Sequence, residues 1–254
     1  MDHIEIDFPV EQFRSVPRLL LRSAVLFGTN FHFIAGVTLL IFLPATLVLQ
    51  FAYSLFDVSV NGIVSYILMS AGDLALAALA VPVILHGLTY KLRNGKLPPL
   101  GESFHWGRRQ WEKTLWNSLK MEVSIMLSTL LLIVPGVIMA IDLIFTETVV
   151  AIEGDRTSDV RERTKQLARG HRWLIFWAML PLSAIGLLGS MLVLKVIEGA
   201  ANSRVLLAIT DSLLSVVAQL TTVAVLLMYL GLVEPTPSPV TPPKDAGRVR
   251  RGRG

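Results

Sequence analysis

Residues 23–56, SAVLFGTNFHFIAGVTLLIFLPATLVLQFAYSLF, contain no Asp, Glu, Lys or Arg. Further intervals without these residues include 74–90, 173–194 and 212–233. A helix needs about 20 predominantly apolar residues to cross the roughly 30 Å hydrocarbon layer of a bilayer, and each interval is near or above that length. The sequence therefore predicts an all-α fold, a polytopic bundle of membrane-spanning helices.

The composition favours the same class. Hydrophobic residues make up 53% of the 254 residues and charged residues only 17%, whereas soluble domains carry about a quarter charged residues. The chain has no cysteine, which excludes disulfides and thiolate chemistry. The first residues include four acids and no basic head with a short apolar stretch, which argues against a cleaved signal peptide. We expect the first span to act as the insertion signal.

We predict six spans between a cytoplasmic arm at 1–30 and a tail at 234–254, within a membrane domain at 31–233. The spans lie at about 33–55, 62–89, 117–134, 137–152, 173–196 and 206–232. The third and fourth are short for a crossing and are separated by Pro135 and Gly136, because proline ends a helix and glycine permits a turn. We predict a tight hairpin with these two residues at the far face. A re-entrant pair is the alternative.

Basic residues set the predicted orientation. Of the 23 Lys and Arg, 21 fall in the arm, in segments 91–120 and 153–172, or in the tail, and only Lys195 and Arg204 fall on the other side. The positive-inside rule then makes both termini cytoplasmic, which an even number of spans also requires. An aromatic belt at the cytoplasmic ends of spans three and five is formed by all five tryptophans: Trp106, Trp111, Trp116, Trp173 and Trp177.

The arm is predicted to contact anionic lipid headgroups. Arg14, Arg18 and Arg22 repeat every fourth residue, and Pro17 suits only the first turn of a helix. This pattern favours an interfacial helix with its basic stripe toward the headgroups. The Pro-rich tail at 234–254 is expected to be disordered. Its basic end is expected either to stay in solution and reinforce the topology or to bind anionic lipid. RNA is the less favoured ligand, and no nucleic-acid partner is expected.

A short solvated helix is predicted between spans four and five. Asp159 and Glu162 have the spacing of an N-terminal capping pair, and Gly170 suits the end of the helix. Its mixed charge is typical of a helix on the protein surface.

Three aspartates interrupt the apolar spans. Asp73 lies near the middle of span two, Asp142 within span four, and Asp211 in the first half of span six. A central aspartate costs roughly 2.5–3.5 kcal/mol on insertion scales, so such residues face the bundle interior or a wet cavity. The basic groups expected to reach the membrane interior are few: His86, Lys120 and Lys195. The carboxyls are therefore either neutral groups that hydrogen-bond across helices or parts of a proton- or cation-linked path.

Motifs of soluble enzymes are missing from the sequence. It has no phosphate-binding or dinucleotide-binding glycine loop, no G-x-S-x-G and no H-E-x-x-H. The five histidines are far apart, so we expect no metal and no cofactor, and we do not expect an enzyme.

Residues 88–180 carry a series of short motifs. Leu88-Thr-Tyr-Lys-Leu-Arg-Asn-Gly precedes Gly101-Glu-Ser-Phe and Trp106-Gly-Arg-Arg. Further on stand Ile133-Val-Pro-Gly-Val-Ile, Val149-Val-Ala-Ile-Glu-Gly and Thr164-Lys-Gln-Leu-Ala-Arg-Gly. This order resembles the bacterial membrane proteins of the glycerophosphoryl diester phosphodiesterase membrane-domain family and related six-span inner-membrane families of unknown function. Thr164 stands where those proteins usually have serine.

The resemblance implies a multi-pass protein of the bacterial cytoplasmic membrane. The activity in the family name belongs to a separate soluble barrel domain, whose His- and Glu-based metal motif has no counterpart in this sequence. The resemblance therefore implies a membrane domain without phosphodiesterase chemistry. The residues that it highlights are expected to have structural roles: Pro135, Gly136, Glu153, Leu167 and Gly170.

These observations lead to two expected functions. The first is a non-catalytic integral membrane protein that packs against or regulates lipids, another membrane protein or a second copy of the chain. The second is a small proton- or cation-linked transporter or channel that uses Asp73, Asp142 and Asp211. A membrane-embedded lipid enzyme is a third class, and the sequence lacks the nucleophile–base pair that it would need.

Overall fold

The computed structural model describes residues 15–55, 63–154, 157, 159–199 and 204–233. The predicted all-α fold is confirmed for these residues, because all regular elements among them are α-helices. The helices are α1 (Val16–Thr29), α2 (Phe31–Leu55), α3 (Ile63–Asn94), α4 (Leu100–Leu131), α5 (Ile133–Leu143), α6 (Thr146–Glu153), α7 (Val160–Ala168), α8 (Arg172–Gly199) and α9 (Arg204–Val233).

Five stretches of the described helices are long and apolar enough to cross a membrane. They are Phe31–Ala52, Ser70–Asn94, Ile133–Glu153, Arg172–Met191 and Ala208–Val233. The chain is therefore a helical membrane protein. Helix α4 is not among the five, because charged residues are spread over its first two-thirds.

The densest packing lies toward one end of the bundle. Helix α2 packs against α9, α3 against α4 and α6, and α8 against α9. Residues 223–230 at the end of α9 are all buried, and they join Ile34, Ile84 and Phe145 in one aliphatic and aromatic core. Many aliphatic side chains elsewhere on the bundle are exposed, for example Val48, and such a surface suits lipid rather than water.

Helix α4 is much longer than the predicted third span. It begins at Leu100 rather than near 117, so most of the segment predicted to be a basic loop is helical. The helix lies against its neighbours through a stripe of small or polar residues at helical spacing: Ser103, Gly107, Gln110, Thr114 and Ser118. A Cβ atom at Gly107 would overlap the Val83 side chain. This close contact holds the charged half of α4 against α3, which the spacing of apolar residues alone did not indicate.

The predicted turn at Pro135 and Gly136 is displaced along the chain. The helices α4 and α5 are separated at Leu132, whose backbone is extended (φ −161°, ψ 140°). Pro135 lies in the first turn of α5, where its missing N–H needs no partner, and a Cβ atom at Gly136 would overlap Thr129. Glycine is thus required for the close approach of the two helices rather than for the turn.

The predicted fourth span, 137–152, is not one helix. A break after Leu143 separates α5, with 11 residues, from α6, with eight. The stretch Ile133–Glu153 therefore reaches spanning length only as α5 and α6 together, because at about 1.5 Å per residue neither helix alone crosses a layer of roughly 30 Å.

Helix α1 begins at Val16 and has Pro17 in its first turn, as predicted. Leu19 is buried, Arg18 is exposed, and the helix packs against α9 and α8. Arg14 and the predicted tail at 234–254 lie outside the described residues. The interfacial position of α1 stays a prediction.

The short helix predicted between spans four and five is confirmed as α7. The Glu162 N–H donates to the Asp159 carboxylate at 3.2 Å, which caps the first turn. Gly170 has φ +84°, a conformation that favours glycine.

Candidate functional sites

Asp142 forms a two-point ion pair with Arg172. The Arg172 Nε donates to Asp142 Oδ1 and Nη2 donates to Oδ2, both at 2.7 Å. The Asp142 side chain is only 9% exposed, whereas that of Arg172 is 49% exposed. The pair joins the end of α5 to the first residue of α8 and satisfies a carboxylate that would otherwise be buried alone.

The expected scarcity of counter-charges is therefore wrong for Asp142. Arg172 is expected from the sequence to lie at the cytoplasmic end of span five, away from the middle of span four. The structure brings the two residues together because the break after Leu143 places Asp142 at the end of a helix beside the start of α8.

Asp73 and Asp211 lie on two helices that pack against each other. Asp73 is exposed on α3, and Asp211 is half-buried on α9. Because α3 continues to Asn94, Asp73 lies in the first third of the helix. Beside Asp211, the hydroxyl of Ser212 hydrogen-bonds to that of Thr46 across α9 and α2 at 3.2 Å.

Glu153 connects three helices. Its Oε1 accepts hydrogen bonds from Arg163 Nε at 3.0 Å and from the Tyr229 hydroxyl at 2.9 Å, and Thr157 donates to its Oε2. The carboxylate at the end of α6 therefore holds α7 and α9. Arg163 and Glu153 thus form an ion pair between α7 and α6.

Tyr229 is a partner that the sequence analysis missed. It is the one polar side chain in the buried run 223–230. A buried tyrosine hydroxyl normally finds a hydrogen-bond partner, and this rule was the available signal.

Two tryptophans join helices through hydrogen bonds, and the predicted aromatic belt stays a prediction. Trp106 Nε1 donates to the Ala151 carbonyl at 3.0 Å, and its ring stacks on His86 with a centroid separation of 5.4 Å. Trp111 Nε1 donates to the Ala75 carbonyl at 3.0 Å. The other three tryptophans are exposed.

The remaining residues that the resemblance highlights have packing positions. Leu167 is buried in the core. Thr164, one turn earlier on α7, donates its hydroxyl to the Val160 carbonyl at 3.1 Å. Both residues face the rest of the bundle from an otherwise polar helix.

A cationic surface lies on one face of α4. Arg109, Lys113 and Lys120 surround a cavity of about 730 Å³ together with Trp116, and Glu112 is the acid among its lining residues. Lys113 Nζ donates to the Gly154 carbonyl at 2.9 Å. Arg109 and Lys113 were predicted to precede span three and Lys120 to lie within it, whereas one continuous helix carries all three.

The tip of the α4–α5 hairpin is a second exposed feature. Five consecutive aliphatic residues, 130–134, have exposed fractions between 66% and 83%. The Ser128 and Thr129 hydroxyls beside them donate to the carbonyls of Ser124 and Ile125, at 2.7 and 2.8 Å. The tip is therefore apolar, and these neighbouring hydroxyls are satisfied within their own helix.

The five apolar stretches long enough to cross a bilayer place the chain in the class of polytopic membrane proteins. No family model, curated protein or solved structure matches the chain. The resemblance to the glycerophosphoryl diester phosphodiesterase membrane domain therefore stays a prediction.

Proposed function

We propose that the chain is a non-catalytic integral membrane protein that organises the lipids and membrane proteins next to it. The observation that carries this proposal is that charged side chains of the protein join helices to one another. Asp142 and Arg172 join α5 to α8, and Glu153 joins α6 to α7 and α9. Side chains engaged in this way stiffen a scaffold, and they leave the cationic and aliphatic surfaces to face the bilayer.

The proposed location is the bacterial cytoplasmic membrane, with both termini cytoplasmic. The basic residues of α7 support this orientation under the positive-inside rule. Val160 at the start of α7 lines one groove with Leu143 and with Lys120 of α4. Since Asp142 also contacts the first residue of α8, the break between α5 and α6 belongs at the cytoplasmic side of the bilayer.

The α4–α5 hairpin then enters the bilayer without crossing it. Helix α5 has 11 residues and is about 16 Å long, so the tip at Leu132 reaches roughly halfway through a 30 Å layer. This proposal adopts the re-entrant alternative in place of two full spans. Four helices cross completely, α2, α3, α8 and α9, and an even number keeps both termini on one side.

The backbone of the hairpin tip suits a hydrocarbon environment. The Leu132 N–H donates to the Ser128 carbonyl at 3.1 Å, and the Gly136 N–H donates to the Leu132 carbonyl at 3.3 Å. Unpaired backbone groups cost several kcal/mol in lipid, and these two hydrogen bonds remove part of that cost at the turn.

Cysteine labelling tests the hairpin because the natural chain has no cysteine. Leu132→Cys in sealed vesicles of known orientation should resist a membrane-impermeant maleimide from either side and react after detergent is added. Lys96→Cys reports the cytoplasmic side, and Lys195→Cys near the end of α8 reports the other side. Labelling of Leu132→Cys from the Lys195 side alone would show a full crossing and would contradict the re-entrant hairpin.

The organising function is tested in particles extracted from native membranes with an amphipathic polymer instead of detergent. We expect anionic phospholipid to be enriched over its proportion in the whole membrane, together with a reproducible membrane-protein partner or a second copy of the chain. Mass spectrometry measures all three. Particles that contain a single chain and lipids in bulk proportion would contradict the proposal.

A second candidate function is a proton- or cation-linked transporter. The observation that favours it is that Asp73 and Asp211 lie on α3 and α9, two apolar helices that pack against each other, because ionisable residues within membrane helices are typical of ion pathways. In reconstituted vesicles under a proton or cation gradient, Asp73→Asn and Asp211→Asn should abolish flux. Folded Asp142→Asn should retain it. A wild-type protein without flux would exclude this function for the ions tested.

A further inference from the structure

A groove of about 370 Å³ lies between α4, the α5–α6 break and α7. Its lining includes the apolar side chains of Leu119, Val123, Leu143 and Val160. Lys120 lines it from α4, and Arg161 from α7. The groove therefore has an aliphatic floor and two cationic side chains from different helices.

The two cations lack acidic partners in the part of the chain that the structure describes. None of its ion pairs includes Lys120 or Arg161. The one contact recorded for the Arg161 guanidinium is with the Met139 sulfur, at 4.0 Å. Both residues are exposed, so an incoming anion meets them without first breaking an ion pair.

The cationic cavity on α4 continues from this groove. Lys120 lines both spaces, and Arg109 and Lys113 extend the positive charge along the helix. The exposed indole of Trp116 lies on the same surface. Tryptophan and basic residues together are typical of the headgroup level of a membrane.

The apolar part of the groove continues toward the hairpin tip. Val123, Met126 and Leu127 are exposed along α4, and the aliphatic tip at 130–134 follows. The hydroxyl of Ser124 donates to the Lys120 carbonyl at 2.7 Å, so it needs no polar partner from outside. The surface therefore changes from cationic at Lys120 to apolar at the hairpin tip. A phospholipid changes in the same order, from its charged headgroup to its acyl chains.

We propose that this groove binds an anionic phospholipid, whose phosphate contacts Lys120 and Arg161 and whose acyl chain follows Val123 toward the hairpin tip. The proposal rests on the membrane role given above and names the lipid class and its site. A free phosphate would satisfy the cations alone and would leave the aliphatic floor uncovered.

Native mass spectrometry of the full chain in detergent tests the site, with phosphatidylglycerol, phosphatidylcholine and inorganic phosphate as separate probes. Loss of two basic contacts in Lys120→Gln/Arg161→Gln should weaken phosphatidylglycerol binding by about 10- to 30-fold. Lys96→Gln/Arg108→Gln removes the same charge from exposed positions that line neither space, and it should retain wild-type binding. Equal weakening in both double variants would overturn the site.

A second variant tests the apolar half without changing charge. Val123→Trp fills the floor and should weaken phosphatidylglycerol binding, whereas Val48→Trp on exposed α2 should not. Full competition by inorganic phosphate, or equal affinity for phosphatidylglycerol and phosphatidylcholine, would overturn the assignment to an anionic phospholipid.

The outcomes also separate this site from the proposed function. If the wild-type chain selects anionic lipid and the Lys120→Gln/Arg161→Gln variant selects it equally, the groove is not the site while the organising function stands. If the wild-type chain selects no anionic lipid in detergent or in native particles, the groove proposal fails. The proposed function then fails as well if native particles also lack a partner or a second copy.

Discussion

The ion pair between Asp142 and Arg172 gives the sharpest prediction for stability. Arg172→Gln leaves a carboxylate that is only 9% exposed without its partner, and breaking a fully buried pair costs roughly 3–5 kcal/mol. Because the Arg172 side chain is 49% exposed, solvent reduces that figure, and we expect a loss of about 2–3 kcal/mol.

Substitution of Asp142, the other partner of the pair, should reduce the free energy of unfolding by less. Asp142→Asn leaves a half-exposed guanidinium that can extend toward water or headgroups, and one amide oxygen can still accept from it. We expect about 1 kcal/mol for this variant, and a coupling energy of about 1 kcal/mol or more in the double-mutant cycle. The two variants differ because the Asp142 side chain is much more buried than the Arg172 side chain.

Equilibrium unfolding in mixed micelles of mild detergent and SDS measures the four free energies of the cycle. The matched control is the exposed pair of Arg169 and Glu162, which are 3.8 Å apart and 67% and 48% exposed. Its coupling should be below about 0.5 kcal/mol. If Arg172→Gln costs no more than Asp142→Asn, or if the two pairs couple equally, the argument from burial is refuted.

Three further substitutions test the helix contacts by unfolding in the same micelles. Gly107→Ala should lower the free energy of unfolding by about 1–3 kcal/mol through overpacking. The control Gly101→Ala should not, because the space around Gly101 is open. Equal losses in the two variants would contradict close packing at Gly107. Tyr229→Phe should lower the free energy of unfolding by about 1–2 kcal/mol because it removes a hydrogen bond to Glu153. An unchanged free energy of unfolding would contradict a stabilising role for that hydrogen bond. Trp106→Phe should lower the free energy of unfolding by about 1 kcal/mol by freeing the buried Ala151 carbonyl, and an unchanged stability would contradict this role of the indole.

The helical membrane class could be predicted from local sequence alone. Uncharged intervals such as 23–56 and 212–233 exclude a soluble core, and helices satisfy their backbone hydrogen bonds within one segment. Short-range chemistry also predicted α7, because the Asp159 cap and the Gly170 conformation depend on only a few neighbouring residues. These features required no knowledge of which helices meet.

The candidate sites depended on contacts that span long sequence separations. Asp142 and Arg172 are 30 residues apart, and Glu153 and Tyr229 are 76 apart. No periodicity within one helix encodes such partners, so the sequence identified Asp142 as unusual but did not identify its counter-charge. For the same reason, the sequence did not indicate that α4 and α7 line one groove.

The sequence by itself determined that the chain is helical, that it belongs in a membrane, and that its charge is uneven along the chain. Only the tertiary structure decided that the basic segment after α3 is a helix, that the chain turns at Leu132, and that Asp142 is ion-paired with Arg172. The physical reason is that hydrophobicity and backbone hydrogen bonding act within a segment, whereas small-residue contacts and buried ion pairs form only after segments pack.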